Sequence, residues 1–336
     1  MARVNYLLGA GASANAVPVV TRLGEAIQFL IDEINHPDFK SSIKEIGTLN
    51  TSIDKVVKDL EEDLTWMLSK EKDHATIDTY AKKLTIRKGY RNLNRLKIVF
   101  SLFLSVHQAN GKVDSRYDYF LAALLEENAQ FTNDVNIVSW NYDHQLELAY
   151  SDYAHVNSLS DCASELKMIL KNMDGKKVDP SGFNFLKVNG STSVFDDFRS
   201  RSYYFLSKLK YESPGELWFE ALTLYISLKY NDINRSALSF AWERYGASSD
   251  YFNHVSETFI NTEVLVIIGY SFPFFNRVID REILSKASSL KRIYIQDLYP
   301  HNIVDKLLET LPEFSVSRDN IRLIESTNEF FIPHEL

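Results

Sequence analysis

The feature that most limits what this chain can fold into lies near its start. A short apolar run, residues 3–8, enters Gly9-Ala-Gly-Ala-Ser-Ala14, and an apolar-periodic stretch follows from about Pro18. Strand, glycine turn and helix in that order open a nucleotide-binding α/β unit. In Gly9-x-Gly11-x-x-Ala14 the first glycine permits the tight turn, and the second lets backbone amides approach phosphates. Ala14 allows close packing of the helix, and Ser13 adds a hydroxyl beside the loop. The helix would direct its positive end toward a pyrophosphate. The plainer reading is an ordinary strand-to-helix turn. No Gly-Lys-Ser/Thr follows, which excludes a P-loop.

Val20, Leu23, Ile27, Leu30, Ile31 and Ile34 keep one face of the next segment apolar, so one long helix stands where a dehydrogenase would need a second strand. From about 43 to 128 the pattern stays helical. One face carries Ile53, Val56, Val57, Leu60, Leu64 and Met67, another Leu93, Leu96, Val99, Phe100, Phe103 and Leu104. Strand character returns at 135–140, 185–188, 264–270 and 292–296, and more weakly at 321–324. The continuous β-branched run at 264–268 suits a central strand of a parallel sheet covered on both faces.

These elements predict an α/β fold: a Rossmann-like parallel sheet flanked by helices, with large helical insertions and no zinc ribbon. Residues 1–336 read as one domain. Within it, 1–34 form the nucleotide-binding loop and helix and 35–130 a helical insertion. Residues 131–336 complete the core, with further helical insertions at about 150–182 and 195–260.

With 336 residues, 45% of them hydrophobic, and no apolar run near the roughly eighteen residues of a membrane span, a soluble protein with no membrane partner is expected. No targeting segment is legible at the N-terminus, so the expected compartment is the cytoplasm. The single cysteine, Cys162, cannot build a four-thiolate site, and the histidines show no HxH or HxxxH pair, so no metal is expected. A net charge of −8 argues against direct nucleic-acid binding by the chain as a whole. A locally basic stretch such as 82–95 could form a patch, but reads first as a solvated helix face or loop.

Polar residues cluster where the predicted strands end, which is where open α/β sheets bind ligands. After 135–140 come Asn141 and Asp143, able to hold a carboxamide and a ribose hydroxyl, or to form an Asx turn capping a helix near His144. After 185–188 come Asn189, Gly190 and Ser191. Gly269-Tyr-Ser271-Phe ends the most apolar strand, so Ser271 could meet a second phosphate while an aromatic ring packs a base. Gln296-Asp297 ends the next strand, suited to an adenosine ribose or to helix capping.

Taken together, Gly9-Ala-Gly-Ala-Ser13 with Pro18, Ser139-Trp-Asn141-Tyr-Asp143, Asn189-Gly190 and Gly269-Tyr-Ser271 resemble the sirtuin superfamily in order and spacing over most of the chain. The chain looks most like the sirtuin-like NAD-cleaving domains of bacterial antiphage defence, and Ile77-Asp-Thr-Tyr-Ala81 is similar to that group as well. Sirtuin deacylases carry a four-cysteine zinc ribbon that one cysteine cannot form.

The resemblance implies an NAD hydrolase that releases nicotinamide and ADP-ribose during abortive infection, activated by a partner or a phage signal. It implies that Gly9, Ala10, Gly11 and Ser13 cradle the NAD phosphates and that Asn141 and Asp143 hold the nicotinamide ribose and carboxamide. Gly269 and Ser271 would then contact the adenosine side, with Gln296 and Asp297 as further candidates. It also implies a homo-oligomer and a HerA-type translocase or short Argonaute as partner. One position departs from the family. Asn189-Gly190 stands where the family has His-Gly, and that histidine is the expected base. Asn189 therefore keeps a second reading open, a subunit that senses NAD or ADP-ribose without turning it over.

Overall fold

The computed structural model describes residues 2–171, 177–192, 194–196, 202–204, 206–230, 235–243, 248–312 and 316–336. Its frame is a seven-stranded parallel sheet. The strands are β1 (Val4–Leu8), β2 (Val135–Ser139), β3 (Ile169–Leu170), β4 (Asn184–Lys187), β8 (Val264–Ile268), β9 (Arg292–Gln296) and β10 (Ile321–Ile324). A second, antiparallel sheet holds β5 (Val194–Asp196), β6 (Ser202–Tyr204) and β7 (Arg235–Ser236).

The main sheet runs β10-β9-β8-β1-β2-β4-β3, every neighbour parallel. The chain steps outward from β1 to one edge, returns to lay β8 against β1, and steps outward again. The order therefore reverses between β1 and β8, and the crevice above their carboxyl ends is where doubly wound sheets bind ligands. β1, β2 and β8 are buried at every residue, as strands covered on both faces must be.

Asn5, Asn136 and Asn184 stand at one register level across β1, β2 and β4. Asn184 Nδ2 donates to Asn136 Oδ1 at 2.8 Å, Asn136 Nδ2 to Asn5 Oδ1 at 2.9 Å, and Asn5 Nδ2 to the Thr258 carbonyl at 3.1 Å. A buried amide ladder of this kind satisfies each polar group by its neighbour.

The apolar stripes read from the sequence build a separate helical core. It joins α1 (Val20–Ile34), α2 (Phe39–Ile46), α3 (Ile53–Asp73), α4 (Ile77–Ile86) and α5 (Tyr90–Asn110). α5 is buried on most of its circumference because it lies at the centre of this layer. Asp63, buried within it, is matched by Arg95 at 2.6 Å, Lys229 at 3.0 Å and the Tyr225 hydroxyl. Arg95 is thereby committed inside the fold, as is Lys82, whose ammonium lies over the Trp242 ring.

Two boundaries differ from the sequence reading. α6 (Ser115–Leu124) packs Tyr117, Phe120 and Leu121 on the sheet, although it falls inside the predicted insertion. The 195–260 stretch, part of which lies outside the described residues, contributes both the small sheet and α9 (Pro214–Tyr230), and α9 joins the helical core. The 150–182 stretch, part of which lies outside the described residues, holds the C-terminal half of α7 (Gln145–Ala154), all of α8 (Leu159–Glu165) and the edge strand β3. α10 (Ser248–Glu257), α11 (Arg277–Ile283) and α12 (His301–Leu308) complete the sheet layers.

A third difference bears on the site. A one-turn 3-10 helix, Ala10–Ser13, follows β1, and α1 begins only at Val20. Pro18 lacks an N–H, so the chain between the two is irregular and lines a cavity. The dipole of α1 is consequently not applied at the glycine loop, as the sequence had suggested.

Among the described residues no helix is long and apolar enough to cross a membrane. Nor do three or more His, Cys, Asp or Glu side chains gather as metal ligands. Cys162 is buried, and burial pushes its thiol up to about 12.

Candidate functional site

A cavity of about 380 Å³ opens over the carboxyl ends of β1, β2, β4 and β8, roofed by the helical insertion. Its lining takes in Ala10, Asn141, Asp143, Asn189, Gly269 and Ser271, so six of the residues singled out in the sequence surround one space. Gly9, Gly11 and Ser13 lie just beneath it. Gln296 and Asp297 are not part of it. The Gln296 amide is clasped by the C-terminal segment, donating to the carbonyls of Ser326 and Glu329 and accepting from Phe331 N. Asp297 closes its own turn by accepting from Tyr299 N at 2.9 Å.

The glycines hold the two central loops together. Gly9 N donates to Ile268 O and Gly11 N to Gly269 O, at 2.9 and 3.0 Å. A Cβ on Gly11 would meet Gly269 Cα at 2.6 Å, and one on Gly9 would meet Gly269 O at 2.5 Å. Here the missing side chains serve the contact between loops, and the Ala10 N–H at the cavity edge is the loop amide without a backbone partner among the described residues. Arg116 braces the loop from behind. It pairs with Asp114 at 2.6 Å and donates to the carbonyls of Gly11 and Ala12. Nothing local in the sequence marks this role, because an arginine on an amphipathic helix usually faces water.

Asn141 is oriented by Ser13. Its Nδ2 donates to Ser13 Oγ at 3.3 Å, Ser13 Oγ lies 3.2 Å from the Tyr117 hydroxyl, and Asn141 N donates to Ser139 Oγ. Asn141 Oδ1 has no partner among the described residues. Asp143 makes the Asx turn that the sequence allowed, accepting from Gln145 N at 3.1 Å at the start of α7. It is also buried, which raises its carboxyl above the ordinary range, while Lys187 pulls the other way. The Lys187 ammonium donates to the Asp143 carbonyl and pairs with Glu147 at 2.7 Å.

Asn189 is held by one edge of its amide. Nδ2 donates to Trp140 O at 3.0 Å, while Oδ1 is buried with no partner among the described residues. Gly190 behind it has φ +68°, and a Cβ there would stand 1.9 Å from Ala237 O. A buried acceptor left unmade costs about 1–3 kcal/mol, so a ligand donor at Asn189 would recover it.

His144 does not reach this space. It is buried against Gln108, whose Nε2 lies 3.2 Å from Nδ1, and burial depresses it to about 3. The unfolded chain takes up a proton here near pH 6.5 while the folded chain stays neutral. The folded pKa is lowered, so the stability present above pH 6.5 is lost as pH falls, by at most about 1.4 kcal/mol per pH unit. His144→Asn should therefore flatten the decline of the urea midpoint below pH 6.5. Parallel declines in the two proteins would show that another group is responsible. His107 lies on the far side of the 15–18 loop, stacked on Phe103.

One acidic side chain of the cavity lies outside the residues singled out in the sequence. Thr76 caps α4, its side chain accepting from Thr79 N, and so sets Asp78 in the first turn, facing the cavity. The Tyr142 hydroxyl donates to Asp78 Oδ1 at 2.5 Å, and desolvation raises the Asp78 carboxyl. Aromatic rings line the same cavity. Trp140 stacks on Tyr270 at 5.5 Å, and the Tyr270 hydroxyl donates to buried Asp280 at 2.8 Å.

No family model and no curated protein matches the chain. Among solved structures it is similar to a Sir2 bound to an acetylated peptide, at 12% identity and TM-score 0.40, over 97% of this chain and 88% of that one. A structure described as the structural basis of sirtuin substrate affinity is similar at 11% identity and TM-score 0.40, over 96% and 88%. A Sir2 homologue with histidine replaced by asparagine, complexed with ADP-ribose, is similar at 11% identity and TM-score 0.36, over 91% and 90%.

Proposed function

We propose that the cavity binds NAD and cleaves its N-glycosidic bond, giving nicotinamide and ADP-ribose. The observation that carries this reading is the convergence of three amide or carboxyl side chains, Asn141, Asp143 and Asn189, on one cavity at the β1/β8 crevice. Glycosidic cleavage passes through an oxocarbenium-like state and releases a neutral leaving group, so positioned dipoles can carry much of the work. Asn141 Oδ1 and Asn189 Oδ1 are acceptors that suit ribose hydroxyls or the attacking water. Phosphates would meet the Ala10 amide. The proposed setting is an antiphage abortive-infection system in which an oligomer of this chain is switched on by a translocase or Argonaute-like partner.

A second reading is a sensor that binds NAD or ADP-ribose without turnover. It is favoured by the absence of any histidine from the described lining of the cavity. Nicotinamide release from NAD by the purified chain, alone and with its partner, separates the two. Release that disappears in Asn141→Ala supports the hydrolase. Tight ADP-ribose binding with no release under any trigger leaves the sensor, and no nucleotide binding at all defeats both.

A further inference from the structure

The charge of the cavity is one-sided. Its described lining contains no lysine, arginine or histidine, while two carboxyl groups, Asp78 and Asp143, face it beside the Trp140–Tyr270 stack. The two acids are not equivalent. Asp143 accepts from Gln145 N, and Lys187 lies behind it as a counter-charge. Asp78 has no cationic partner among the described residues. Its one side-chain to side-chain hydrogen bond among the described residues is with the Tyr142 hydroxyl, which is itself backed by Phe100 and Phe240.

Asp78 is half-buried, and a carboxylate with no counter-charge beside it in a partly screened wall favours a ligand that brings a positive charge, the kind of ligand that aromatic faces also attract. The dinucleotide exists in two forms that differ little in shape. The oxidised nicotinamide ring is a pyridinium carrying one positive charge, whereas the reduced ring is neutral. On the reading of this cavity as a dinucleotide site, we propose that Asp78, held by Tyr142, selects the oxidised, cationic form and rejects the reduced one.

The selectivity follows from charge rather than from fit. A unit charge near a carboxylate in a partly screened site accounts for about tenfold or more in affinity. ADP-ribose, which lacks the ring, should be indifferent to Asp78. Either proposed role gains from this: a hydrolase needs the cationic ring as its leaving group, and a sensor would report the oxidised pool alone.

The test is calorimetry on the full chain with uncleavable carba-NAD+, NADH and ADP-ribose. Wild type should bind carba-NAD+ about tenfold or more tighter than NADH. Asp78→Asn should bring the two within about twofold and leave ADP-ribose affinity unchanged, while Tyr142→Phe, which keeps the charge, should retain the preference. Equal wild-type affinities, or a preference preserved in Asp78→Asn, overturn the inference and leave the dinucleotide site standing. Loss of ADP-ribose binding in Asp78→Asn also overturns it, by assigning Asp78 to the fold. If wild type binds none of the three ligands, the dinucleotide reading itself is rejected, and the inference with it.

Discussion

Gly269→Ala should lower the urea midpoint sharply, with a loss of about 3 kcal/mol made up of left-handed strain and overpacking. Gly269 has φ +61°, where a side chain is disfavoured whatever the space around it. There is also no space. The added Cβ would lie 2.4 Å from Gly11 Cα and 2.5 Å from Ala12 N, backbone atoms of the glycine loop that cannot swing aside. Relief requires the loops after β1 and β8 to part, which breaks the 3.0 Å bond from Gly11 N to Gly269 O. Nucleotide affinity should fall with stability, because both loops edge the cavity. A midpoint within experimental error of wild type would mean that the loops are not locked as described.

The second large effect is a gain. Asn189→His is expected to raise nicotinamide release by about a hundredfold to ten-thousandfold, the usual range for a positioned general base. The geometry allows the exchange. Asn189 Nδ2 donates to Trp140 O, and an imidazole can make the same bond from Nδ1–H, leaving Nε2, one bond farther out than the place of Oδ1, as the free acceptor. Steady-state release measured across pH should then show a new group titrating in the imidazole range. An unchanged rate in a variant that still binds ADP-ribose would count against proton transfer as the missing element, and would favour the sensor.

How much of this was legible beforehand depended on how local the signal was. β1, β2, β8 and β9 are continuous apolar runs, and burial on both faces leaves that pattern in the sequence. That Asn141, Asn189 and Gly269 line one cavity is legible because polar or glycine residues at strand ends lie over a sheet's carboxyl edge by topology alone. β3 was not legible, since two residues, Ile169 and Leu170, carry no period. The β5–β7 sheet depends on pairing between distant segments.

Asp78 was the costliest omission. The sequence around it carries a resemblance and no more, and only the packing of α4 against α5 brings that carboxyl to Tyr142, 64 positions away in the chain. Gln296 failed in the opposite sense. It does end a strand, yet the C-terminal segment takes both ends of its amide, and nothing periodic announces that segment.

The asparagine ladder at the far end of the sheet has a consequence for the rim. Asn5 lies three residues before Leu8, roughly 10 Å at strand rise. Asn136 lies the same three residues before Ser139, and Asn184 three before Lys187. The three strands are thus pegged at one level and then run equal lengths, so that Gly9, Trp140 and Val188 leave the sheet at the same height. A slip of one strand by one residue would turn its apolar side chains over and strand two amides in the core. The ladder acts as a datum line: a polar alignment made at one end of the barrel-less sheet sets the level of the mouth at the other.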